Sequence, residues 1–135
     1  MYNINLRLPR KRARAIIKGG PLAPKIRGRV TFIAVPGGTD VIAKIRGLPP
    51  YQPATNDENP IGPHGFHLHE FGTCKMSNPD NPFQAAGGHW DPDEQPHGNH
   101  AGDFPVLFSN QGLARTRFFT TLFPTTLFRS RKSVV

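Results

Sequence analysis

The chain has 135 residues, a length that suits one domain, with 36% hydrophobic residues and a net charge of +8 at pH 7. No apolar run approaches the roughly 20 residues that a helix needs to cross a bilayer, and 14 glycines with 15 prolines favour turns over long helices. The charge is segregated: residues 1–30 carry nine Lys/Arg and no acid, residues 31–110 three Lys/Arg and all nine acids, residues 111–135 five Lys/Arg and no acid.

Residues 1–12 read as a basic N-terminal segment and 13–135 as one β-rich domain. No apolar stretch follows the basic start, so it does not read as a secretory leader. Arg14–Lys18 is a first strand candidate. Ile26–Ala34 is a second, with Val30 and Phe32 on one face and Arg29 and Thr31 beside them. Val41–Ile45 is a third, and the Val-Pro-Gly-Gly-Thr between the last two has hairpin chemistry. A Pro- and Asn-rich loop covers 47–63. Residues 65–71, GFHLHEF, alternate again. An aperiodic stretch, 72–103, follows. Two more strands are expected at Phe104–Phe108 and Leu113–Phe119, joined at Asn110-Gln111-Gly112. No amphipathic helix is evident. Short strands with turn signals predict an all-β sandwich or barrel. The TTLF at 120–123 recurs at 125–128, too little for a repeat architecture.

All six histidines fall between His64 and His100. Residues two apart on a strand share a face, so His67 and His69 project together while Phe66 and Leu68 point the other way. His64 and Glu70 are out of phase and read as structural or surface groups. His89, His97, His100 and Asp103 offer three imidazoles and a carboxylate, a set that suits tetrahedral zinc. An irregular segment of this length is uncommon in a compact domain unless it has a function, and metal binding would order it. Trp90 is expected to pack over the loop. Asp91, Asp93 and Glu94 read as solvated charges, and Phe118, Phe119, Phe123 and Phe128 as core. Cys74 is the one cysteine. The basic ends fit solubility and non-specific attraction to polyanions, or the steering of a small anion.

The strings GFHLHEFG, AAGGHWDP and HGNHAGDF, with their mutual spacing, resemble the copper/zinc superoxide dismutase family in its bacterial form, over roughly residues 13–123. The resemblance implies a Greek-key β-sandwich or barrel with a long metal-binding loop. It implies copper on His67 and His69, with His89 bridging copper and zinc; these three are the expected catalytic residues. It implies zinc on His89, His97, His100 and Asp103, and a structural role for His64. In the family a cysteine like Cys74 pairs with one near the C-terminus. Beyond a segment like Arg131–Val135 the family has a further copper-binding histidine, an anion-guiding arginine, that second cysteine and a closing strand. None of these lies within this sequence. The domain is therefore expected to read as incomplete at its C-terminus, without the final strand and with three copper histidines.

Two functions follow. The first is disproportionation of superoxide to oxygen and hydrogen peroxide at a histidine-bridged copper/zinc site. The second is a non-enzymatic metal-binding domain of the same fold. The expected partner is superoxide, with neither a specific nucleic acid nor a membrane, and a homodimer is compatible because the family contains both dimers and monomers. The compartment stays open between the cytoplasm and export.

Overall fold

A computed structural model describes residues 11–76, 78–122 and 133–134. Its strands are β1 (Arg12–Lys18), β2 (Arg27–Val35), β3 (Gly38–Arg46), β4 (Leu68–His69), β5 (Leu113–Thr120) and β6 (Ser133–Val134). Every pairing is antiparallel: β1-β2-β3-β5 make a four-stranded sheet, and β4 pairs with β6. The described residues contain no α-helix, only a single 3-10 turn at Gln84–Ala86. The all-β expectation holds.

The hairpin between β2 and β3 follows from its residues. Val35 pairs with Gly38 across Pro36-Gly37. Proline presets the first turn position, and Gly37 takes φ 82° at the second, as a type II turn requires. Alternation then decides which side chains go inside. Val30 and Phe32 of β2, Val41, Ala43 and Ile45 of β3, and Ala114 of β5 are buried on one face. Their neighbours Arg29, Lys44 and Arg115 are exposed.

A second layer of irregular chain covers that apolar face. Leu48, Phe66, Leu68, Phe104 and Leu107 complete the core. Phe104 is its aromatic centre, with ring centroids 4.9 Å from Phe66, 5.3 Å from Phe118 and 6.4 Å from Phe32. Full burial of a side chain of this kind contributes about 1.5–3 kcal/mol. The same residues that close the core therefore anchor the segments that carry the histidines.

Some expectations are corrected. Phe104–Phe108 is not a strand: only Asp103 and Leu107 make isolated bridges, to His67 and His64. Pro105 has no N–H to donate and interrupts the ladder. Phe119 is 52% exposed, whereas Phe118 packs on the core. Consecutive residues of a strand face opposite ways, so both could not be interior. Phe123 and Phe128, and the second TTLF copy, lie outside the described residues.

Candidate metal centre

The segment 64–71 is the spine of the centre. Phe66 and Leu68 are buried, and His67 and His69 face the other way, half-buried. The period-2 reading is correct here, although regular strand geometry is limited to Leu68–His69. The reason is that two different segments pair with this spine. His64 exchanges both backbone hydrogen bonds with Leu107, and Phe104 N–H donates to the Phe66 carbonyl. Further along, Trp90 N–H donates to the Leu68 carbonyl at 2.8 Å and Glu70 N–H to that of Gly88 at 3.1 Å.

Gly102 sits where these segments meet. Leu68 N–H donates to its carbonyl at 2.9 Å, and its own N–H donates to the Trp90 carbonyl at 2.8 Å. The second bond closes the base of the loop 91–101. A Cβ on Gly102 would lie 2.4 Å from the Leu68 oxygen and 2.9 Å from the Trp90 nitrogen. Only glycine allows three backbones to approach so closely. This closure places His97 and His100, from the loop, beside His89 and the spine.

Two donor sets result. Donor atoms of His67, His69 and His89 all lie within 4.8 Å of one another, as do those of His89, His97, His100 and Asp103. His89 belongs to both. All six ligands expected from the sequence are brought together, and His64 lies outside both sets. The His67 and His89 rings stack at 3.9 Å, and the His69 ring meets His89 edge-on at 5.2 Å.

Hydrogen bonds sort the ring nitrogens. His69 Nδ1 lies 2.9 Å from the Gly87 carbonyl. A carbonyl only accepts, so Nδ1 carries the proton and Nε2 keeps its lone pair. His89 Nδ1 donates to Asp103 Oδ1 at 2.6 Å, which leaves Nε2 for the set with His67 and His69. Asp103 Oδ2 accepts from the N–H groups of Gly98 at 2.8 Å and His100 at 3.1 Å.

His100 Nδ1 is buried without a hydrogen bond and lies 3.2 Å from Asp103 Oδ2. An orphaned buried nitrogen beside a carboxylate fits a cation held between them. Three imidazoles with one carboxylate match zinc chemistry, and three imidazoles match copper. The residues therefore fit both metals.

Electrostatics act in the same direction. Burial lowers the pKa of His67, and the neighbouring His89, His69 and His97 lower it further against the opposing pull of Asp103. His67 thus favours the neutral, ligating form. Burial alone would raise the Asp103 pKa. Hydrogen bonds from His89, His100 and Gly98 more than offset this and hold the carboxyl below its ordinary value.

The sequence reading missed Asp91. It is not a solvated charge: it is half-buried, its Oδ1 accepts from Gln95 N–H at 3.0 Å, and its Oδ2 lies 3.8 Å from His100 Nε2. The free nitrogen of His100 points at Asp103 while the other faces a second carboxylate. The spacing of Asp91 ahead of the His97 and His100 pair, within a loop already suspected of metal binding, was the one available signal. Trp90, expected over the loop, packs against the hydrophobic core. Cys74 is an exposed free thiol.

The fold and these two donor sets define an all-β chain with two candidate metal-binding sets that share one histidine. The family model for copper/zinc superoxide dismutase matches residues 26–135, and the chain belongs to that family. It is 35% identical over 111 residues to the Cu-Zn superoxide dismutase of Deinococcus radiodurans, covering 71% of this chain and 54% of that protein. Against the enzyme of Photobacterium leiognathi it is 44% identical over 75 residues, covering 47% and 43%. Against that of Legionella pneumophila it is 36% identical over 91 residues, covering 63% and 46%. The chain spans about half the length of these curated relatives.

Proposed function

We propose that this chain disproportionates superoxide at a copper ion on His67, His69 and His89 joined through His89 to a zinc ion on His97, His100 and Asp103. The observation that carries this reading is the double membership of His89, whose Nδ1 is committed to Asp103 while Nε2 remains for the other histidines. Copper bound there supplies alternate oxidation of one superoxide to oxygen and reduction of a second, with two protons, to hydrogen peroxide, while zinc supplies no redox change. The Gly87 carbonyl fixes the tautomer and orientation of His69. Asp103, held by two loop N–H groups, accepts the Nδ1 proton of His89 and orients its ring; a cation held on that nitrogen would require His89 to release this proton.

Superoxide loss measured on the copper- and zinc-loaded chain tests the reading. Activity should vanish when copper is chelated and in His89→Ala. Activity that survives either treatment would overturn it. One observation favours the second reading, a binding domain without turnover: among the described residues the copper-side set has three donors against four on the zinc side. Full metal loading with no superoxide loss would select it.

A further inference from the structure

The outer face of the four-stranded sheet carries a lattice of cations. Register places Lys18, Arg27 and Arg46 side by side across β1, β2 and β3. The next row places Arg29, Lys44 and Arg115 side by side across β2, β3 and β5. All six are exposed, and among the described residues none is in an ion pair. The acid on this face, Asp40, is taken by Arg117 at 2.6 Å in a more distant row.

Neighbouring strands lie about 4.8 Å apart and alternate residues of a strand about 6.6 Å. Arg27 against Arg46, Arg29 against Lys44, and Lys44 against Arg115 are therefore like charges directly opposite, a destabilising arrangement. Arg27 turns one guanidinium nitrogen to the carbonyls of Pro24 and Ile26, which relieves only a small part of the crowding. Nothing within the described chain offsets the rest. An external polyanion would.

We propose that this face binds the phosphate backbone of nucleic acid, without reading its sequence. Three features favour that occupant. Four of the six cations are arginines, whose forked donors grip phosphate oxygens in pairs. The cations form a compact lattice over a shallow open depression of about 900 Å³. So dense a charge is matched by a duplex with one charge per about 1.7 Å of axis, better than by a leaflet whose surface potential is about −30 mV. No aromatic ring stands in these two rows to stack on a base, so recognition of sequence is not expected. The site lies on the opposite face of the sheet from the core and the histidines, and does not depend on the metal chemistry.

Fluorescence anisotropy of a labelled duplex of arbitrary sequence, with the metal-loaded full chain, tests the proposal. If all six cations engage, affinity should fall roughly 10³-fold between 50 and 200 mM salt. In R29Q/K44Q/R115Q the fall should shrink to roughly 40-fold. The melting temperature of this variant should be equal or higher, because two like-charge contacts are gone. K44Q alone removes both contacts and serves if the triple variant fails to fold; it should lower the salt dependence by about one ion. No binding at 50 mM salt would overturn the proposal. So would loss in R7Q/R10Q with the triple variant unaffected. Tighter, lattice-dependent binding to vesicles containing anionic lipid than to the duplex would replace nucleic acid with a membrane surface.

Discussion

His89 Nδ1 donates a hydrogen bond of 2.6 Å to Asp103 Oδ1, and His89 belongs to both donor sets. Breaking it at His89 removes a donor from both sets at once. His89→Ala should weaken zinc and copper binding together, whereas His67→Ala should weaken copper alone. Metal content after dialysis against a graded chelator separates the two outcomes. Zinc retained at full occupancy in His89→Ala would contradict the shared role.

Asp91 faces His100 Nε2 from the far side of the zinc-side set. Carboxylates in that position orient a ligating imidazole and raise its basicity, and their loss typically weakens metal binding about 10–100-fold. Asp91→Asn should therefore lower zinc affinity by that range, with little effect on copper affinity. Competition with a zinc chelator measures it. An equal loss of both metals would show that Asp91 merely supports the loop.

Gly102 tolerates no side chain. Gly102→Ala would press a methyl group against the Leu68 and Trp90 backbones, and should destabilise the fold by more than about 2 kcal/mol. Urea denaturation of the apoprotein gives the number. A change within about 0.5 kcal/mol, the range of ordinary surface substitutions, would show that the loop base yields easily.

The apoprotein should lose stability on acidification. The folded state holds the His67 pKa below its ordinary 6.5 and that of Asp103 below its ordinary 3.8. For both groups the unfolded chain takes up its proton first as pH falls, so stability declines in the same direction. The His67 contribution is lost below about pH 6.5, and that of Asp103 only below about pH 3.8. Urea midpoints between about pH 7.5 and pH 3 should fall in these two windows. A midpoint that is flat or rises would refute the sign.

Zinc should be retained better than copper. The zinc-side set has four donors among the described residues. Copper(II) prefers a tetragonal shell that three histidines do not fill. Metal analysis after dialysis should show more zinc than copper per chain; equal occupancy would count against the difference.

Much of this centre is legible in the sequence because the spine is strictly alternating. His67 and His69 on one side, with Phe66 and Leu68 on the other, need only the period of two. The β2–β3 hairpin is legible for the same reason, helped by Pro36-Gly37. What escapes is long-range. Asp91 gains its role only when Gly102 folds the loop back on Trp90, and no local pattern encodes that closure. The Phe104–Phe108 misreading arose because apolar residues bordering a spine look like a strand, although Pro105 denies the ladder a donor. Phe118 and Phe119 both look like core until alternation allows only one of them inside.

The alternation of segment 64–71 has a further consequence for how this chain matures. A slip of one residue in its pairing would turn Leu68 toward the other donor residues and His67 and His69 into the apolar core. Such a misfolded chain would have no copper-side set to fill. A metal bound by the proposed sets would therefore favour the correctly threaded chain, because only that register presents His67 and His69 together.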